Sequence, residues 1–368
     1  MQGVLTNRER IRRCLLGQSL DRVPYFLFFG PWMETQQRWE LEIGGPVDYN
    51  RFDFDTGIVS VNQWVNMGFC PAFPYEIIEE SDEKIIYQDG LGIIQESIKG
   101  KSGIPRIIHN PVKTREDWEQ IKAERLDPEH PQRFPDDWPA IANELNKGDA
   151  ALQLGGFPYG LFGTLRDLMG VENLLLAFYD DPKLVFDIMS DLTDLWIRVY
   201  ERACQDIKQV ELVHMWEDMS GKQGSLISPD MIRTFMTPQY SRIKKFCVSH
   251  NISGFIVDTD GRCEELIAPY MEGGINALLP FEVAAGNDVV DLHQRYPGLM
   301  LLGGIDKRVL SQGKDLVQAE LKRISSLLKK SRYIPGLDHL VPPDVSWQDF
   351  CFYTDSLKTL ILSSASSE

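Results

Sequence analysis

The chain has 368 residues, 43% of them hydrophobic and 25% charged, with a formal net charge of -16. That is enough apolar material for a substantial core, and the acidic balance argues against nucleic-acid binding, which needs clustered Lys and Arg. No apolar run reaches the roughly 18 residues of a membrane helix, so no membrane partner is expected.

In chain order, Thr6 ahead of "NRERIRRCLLG" fits a helix N-cap, with Glu9 as capping-box partner and Gly17 closing the helix. This polar opening is unlike a signal peptide. The six cysteines form no CxxC pair and read as free thiols of a reduced, cytoplasmic chain. "DRVPYFLFFG" predicts a first buried strand at 23–29. Residues 74–98 alternate around "SDE" and "DGLG", the pattern of a β-meander set into the main architecture. "TREDWEQI" (114–121) predicts a helix, and 126–137 is a Pro- and Asp-rich connector.

From about 138 the pattern becomes regular. A helix at 138–146 leads to a strand at 150–156, then helices at 160–176 and 182–207. Strands at 210–218, 253–261, 275–282, 299–306 and 332–336 then alternate with helices at 228–249, 262–272, 287–296, 314–330 and 346–362. Such alternation predicts a parallel sheet. About eight strands can be counted, and no GxGxxG follows the first. The expected fold is therefore α/β, a single (β/α)8 TIM barrel over 1–368 with an insertion at 74–98.

A barrel of this kind gathers its site at the C-terminal strand ends. Those ends carry Trp32, then Tyr159, then His214, Trp216, Glu217 and Asp218. Asp258, Asp260, Glu282 and Asp306 follow, and finally Asp338 and His339. In "YIPGLDHLVPPDVSW" (333–347) a glycine and two prolines frame a loop that would present Asp338 and His339 to the mouth. Structural roles compete at most of these positions. Asp258 and Asp260 also suit helix caps, and Asp306 and Asp344 suit them better. His214 also suits a core histidine, and Glu217 with Asp218 a solvated pair. Two chemistries remain open. Asp258, Asp260 and His339, with Glu217 or Glu282 nearby, suit a divalent ion such as zinc, with a position left for substrate. Alternatively His339 and a carboxylate move a proton without metal.

"TNRERIRRCLLGQSLDRVPYF", "GGINALLPFE", "LLGGIDKRVL" and "RYIPGLDHLVPPDVSW" resemble the opening and closing strands of the uroporphyrinogen decarboxylase superfamily. The resemblance spans nearly the whole chain and implies a (β/α)8 barrel. True decarboxylases of that superfamily hold their polyanionic substrate with an arginine-rich loop after the first strand. Here "FFGPWMETQQRW" contains Arg38 alone. The methyltransferase branch binds zinc through a His-x-Cys-Gly element and a late cysteine. "DTDG" (258–261) and Asp338-His339 stand at those places, so oxygen and nitrogen replace sulfur.

The chain is thus more similar to the methyltransferase-like branch. That resemblance implies an enzyme moving a methyl group from a small methylated, or methoxylated aromatic, compound to a corrinoid protein. Glu217, His339 and Asp258 would be catalytic. Trp32, Tyr159, Trp216, Arg166 and Asn62 would contact substrate, and Asp258, Asp260, His339 and Glu282 would hold zinc. Related barrels pair, so a homodimer is expected. The alternatives are a cofactor-free decarboxylase and a non-catalytic barrel that binds a corrinoid or tetrapyrrole.

Overall fold

The computed structural model describes residues 4–101 and 103–365. In chain order its strands are β1 (Ile58–Ser60), β2 (Glu76–Glu80), β3 (Lys84–Gln88), β4 (Ile94–Ile98), β5 (Arg106–His109), β6 (Ala151–Gly155), β7 (Leu212–Trp216), β8 (Ser220–Gly221), β9 (Gly224–Ser225), β10 (Gly254–Thr259), β11 (Ala277–Pro280), β12 (Met300–Ile305) and β13 (Tyr333–Leu337). Seven of them form one sheet in the order β1-β6-β7-β10-β11-β12-β13, every pairing parallel. Helices return the chain between successive strands, and the sheet curls into a TIM-type α/β barrel.

The eighth position departs from expectation. Residues 23–29 form no ladder, because Pro24 has no N–H to give and the Tyr25 N–H goes to Asp55 Oδ2 at 2.8 Å. The segment still lies between β1 and β13. Phe26 packs over Gly57, and Phe26 to Phe29 share a narrow cleft with Pro335 to Leu337. Just beyond, the Val341 N–H bonds to the Gly30 carbonyl at 3.1 Å. An extended, aromatic-rich segment thus fills the gap with side chains instead of backbone bonds.

Alternate strand residues point to opposite faces. Ala151, Leu212, Ile256, Ala277, Leu279, Met300, Leu302 and Ile334 meet as one cluster inside the barrel. Ile11, Cys14 and Leu15 of the first helix, Asn7–Leu16, close that cluster from the N-terminal end. A Cβ on Gly254 would stand 2.9 Å from Leu15, so only glycine leaves room for this plug. Thr6 caps the helix as expected, accepting from the Glu9 N–H, and Gly17 closes it with φ 69. The Glu9 carboxylate pairs with Arg13 at 2.7 Å.

The meander is larger than the sequence pattern predicts. It is a four-stranded antiparallel sheet in the order β2-β3-β4-β5, reaching His109. The predicted helix at 228–249 begins at Pro229 and carries a π-helical turn over Ile232–Met236, just before Pro238, which has no N–H to give. The last helix, Trp347–Ala365, is capped by Ser346, which accepts from the Asp349 N–H. Asp344, the expected cap, instead accepts from the Ser311 hydroxyl.

Leu15 is buried within the plug, in contact with the apolar cluster inside the barrel. Leu15→Ala should cost about 2–5 kcal/mol of stability, as buried Leu truncations do. Urea denaturation measures this, and an unchanged midpoint would refute the plug.

Candidate active site

Parallel pairing sets the centre of the site. Ile256 of β10 is in register with His214 of β7, so His214 and, two residues along from Ile256, Asp258 enter the barrel from neighbouring strands. His214 Nε2 lies 4.0 Å from Asp258 Oδ2. The imidazole is only 5% exposed, and neither ring nitrogen has a partner among the described residues. Gly155 and Gly156, at φ 75 and 94, turn the chain beside it. A Cβ on Gly156 would stand 3.0 Å from His214 Nδ1 and 2.6 Å from Gln153 Nε2. Asn62 braces this turn, donating to the Gly155 carbonyl at 2.9 Å and accepting from its N–H at 3.2 Å. Its amide serves the backbone, in contrast to the substrate contact the sequence suggests.

Gln153, His214 and Asp258 line a mouth cavity of ≈ 580 Å³, together with Phe26 to Phe29 and Phe157. Burial pushes His214 down to about 4, so the ring is neutral. Burial raises Asp258 well above the usual carboxylate range, and the Asp260 and Asp218 charges add to this.

A second imidazole–carboxylate pair stands nearby. His339 Nε2 lies 3.5 Å from Asp260 Oδ2. The His339 ring stacks on Phe29 with centroids 5.1 Å apart, and Trp32 lies 6.3 Å away on the rim. Asp338, its sequence neighbour, does something different. It is 1% exposed and accepts from the Val283 N–H at 2.8 Å and the Lys307 N–H at 3.0 Å. Of the framed pair, His339 alone is placed for chemistry.

Glu217 is also turned away from the mouth. It is fully buried and accepts from Leu161 N–H at 3.0 Å, Phe162 N–H at 2.6 Å and the Tyr240 hydroxyl at 2.7 Å. Burial outweighs these donors and pushes it up to about 7. The catalytic role expected of it has no free oxygen to work with; it holds the start of the helix Leu161–Met169. Glu282 accepts from the Gly261 N–H at 3.0 Å and faces Lys307 Nζ at 3.4 Å.

The four expected zinc ligands are therefore divided. Asp258 faces His214, Asp260 faces His339, and Glu282 faces Lys307. Among the described residues, no group of three or more His, Cys, Asp or Glu is placed to hold a metal ion. As arranged, these side chains do not fit a three-ligand zinc site. Two imidazole–carboxylate pairs suit proton transfer.

Tyr159, Trp216 and Arg166 do come together, in a second cavity of ≈ 680 Å³ roofed by the antiparallel sheet through Ile93, Gln95 and Ile107. The Arg166 guanidinium lies 4.7 Å over the Trp216 ring and donates to Asp218 Oδ2 at 2.6 Å. Phe157 meets Trp216 edge-on at 4.9 Å and lines both cavities.

The site contains Gln153, which the sequence pattern does not single out, and gives His214, a strand-end residue that also suited the core, a place in the mouth. Both share the inward parity of Leu212 and Ala151, and that periodicity was the available signal. The roof came from the meander, whose sequence pattern gives no hint of where it folds back.

His214 gives a pH test. Its folded value is depressed from 6.5 to about 4, so protons bind the unfolded chain first. Its contribution to stability is complete above about pH 6.5 and is lost as pH falls toward 4, at up to about 1.4 kcal/mol per pH unit. Asp258 works in the opposite sense, since its raised carboxyl holds a proton in the folded state. Urea titrations between pH 7 and 4.5 should show a shallower loss of stability in His214→Gln than in wild type. Parallel curves would contradict a neutral buried imidazole.

Comparison with known proteins agrees with this architecture. The family model described as uroporphyrinogen decarboxylase (URO-D) matches residues 89–360. A methyltransferase from Methanosarcina mazei is similar in structure over 98% of this chain and 99% of its own, at 14% identity and a TM-score of 0.57. That likeness is one of fold. A 3-keto-D-glucoside 4-epimerase from E. coli is a weaker match, at 10% identity and a TM-score of 0.35 over 61% of this chain and 84% of its own. A search of curated proteins finds no match.

Proposed function

The chain belongs to the uroporphyrinogen decarboxylase family, and from that premise we propose that it moves a methyl group from a small methoxylated or otherwise methylated compound to a corrinoid carried by a partner protein. One observation carries this reading: the mouth cavity that holds the His214–Asp258 pair has no Lys or Arg among its described lining residues, with the His339–Asp260 pair nearby. A porphyrinogen with many carboxylates would meet Asp258 there with no Lys or Arg in the described lining to compensate. Each like-charge pair in a partly desolvated cleft costs on the order of kcal/mol. A small substrate with an uncharged reacting end avoids that cost.

The corrinoid, when docked, supplies the nucleophile for the methyl carbon. The chain's own residues manage the rest. As the methyl–oxygen bond breaks, its electron pair stays on oxygen, and that oxygen needs a proton. Asp258, whose carboxyl is raised by burial, is the donor. Neutral His214 beside it adds no charge that would draw the proton off Asp258 beforehand, and solvent restores the proton to Asp258 after transfer. His339 and Asp260 form the outer relay to solvent, and Phe29 and Trp32 flank them on the side from which a carrier protein approaches. The fold shared with a methyltransferase supports the reading.

Decarboxylation of a small acid is the second reading. The family match favours it, and the same donor would protonate the carbon that loses carbon dioxide. A panel of methoxylated aromatics with reduced corrinoid, run beside a panel of small carboxylic acids, separates the two by product. Carbon dioxide release without methyl transfer would overturn the first reading.

Asp258→Ala and His339→Ala should each lower turnover by about 10²–10⁴-fold, the usual worth of a proton-transfer group, with unchanged far-ultraviolet circular dichroism. Full activity in either variant would remove that residue from the mechanism.

A further inference from the structure

Among their described lining residues, the sheet-roofed cavity of ≈ 680 Å³ and the mouth cavity share Phe157 alone. Four aromatic side chains face it: Phe69, Phe157, Tyr159 and Trp216. One guanidinium and three carboxyls stand among them. Arg166 is committed to Asp218, donating to its Oδ2 at 2.6 Å and its carbonyl at 2.7 Å. Asp89 is committed to its own turn, accepting from the Leu91 and Ile93 N–H groups and the Gln95 amide.

Asp167 is left over. Its nearest cation is Arg166 Nε at 3.8 Å, beyond hydrogen-bond distance, and no donor among the described residues reaches its carboxyl. One cation against three carboxyls leaves the cavity short of positive charge. Aromatic walls with an uncommitted carboxylate are the usual receptor for an ammonium group on an apolar body. We infer that this cavity binds an organic cation, an aromatic or alkylated ammonium compound, with Asp167 as its charge partner. Burial pushes the Asp167 carboxyl up to about 6, so at pH 7.5 it is ionised and sheltered from water. Such a ligand would sit there whatever reaction the mouth performs.

Isothermal titration calorimetry on the full chain at pH 7.5 tests this with three probes: benzyltrimethylammonium, benzyl alcohol and benzoate. The cation should bind one to one, at least about tenfold more tightly than the other two. Asp167→Asn should weaken the cation by about tenfold and leave benzyl alcohol within about twofold. Asp258→Asn, at the mouth, should leave the cation within about twofold. Equal affinity for cation and benzoate would overturn the inference, as would an Asp167→Asn variant that binds like wild type. Loss of the cation in Asp258→Asn would move its site to the mouth and overturn it equally. The comparison of cation with neutral probe in the wild type stands even if a variant misfolds.

Discussion

Carboxylates tied to backbone N–H groups hold the mouth of this barrel in shape. Glu217 fixes the first turn of the helix that follows β6. Asp338 ties the loop after β13 to the loops after β11 and β12, through Val283 and Lys307. Glu282 holds Gly261. Each loop at the C-terminal end would otherwise leave N–H groups unpaired in a poorly hydrated place, at about 1–3 kcal/mol each. The rim carries its acidic residues partly for this reason, and the reacting groups inherit their positions from it.

That division explains what was and was not legible in the sequence. The six longer barrel strands were readable because four to six apolar residues ran between turn signals. β1 was not, since Ile58–Ser60 is too short to show a period. The aromatic run at 23–29 has the composition of a strand, yet Asp55 takes the backbone N–H that a ladder would need. The acidic cluster at the strand ends was visible as a cluster, but its members could not be sorted by residue type. Strand parity sorts some of them. His214 and Asp258 fall on the inward face with Leu212 and Ile256, whereas Glu217 falls on the opposite parity and faces the helix layer. Parity fails at Asp338, because β13 ends at Leu337 and the loop turns the side chain into the rim.

The carboxylates that no backbone N–H holds are the informative ones. Asp258 and Asp260 occupy successive inward positions, and Asp167 opens on the roofed cavity. Their environments differ by what stands opposite. Asp258 faces a neutral imidazole inside the barrel, so nothing offsets the cost of charging it and its carboxyl rises. Asp260 lies farther out against His339, in contact with solvent. The Asp260 and Asp218 charges add to that rise.

A carboxyl that keeps its proton, as Asp258 does, needs a place with low dielectric and no competing cation. The barrel interior supplies the first through its apolar cluster, and the mouth lining supplies the second, since its described members include no Lys or Arg. The cation of the neighbouring cavity, Arg166, is kept away by its own bonds to Asp218 and its seat on Trp216. Phe157 stands between the two compartments. The bonds that hold Arg166 on Asp218 and Trp216 therefore keep the guanidinium from neutralising the carboxyl at the mouth, and acid chemistry inside the barrel depends on that separation.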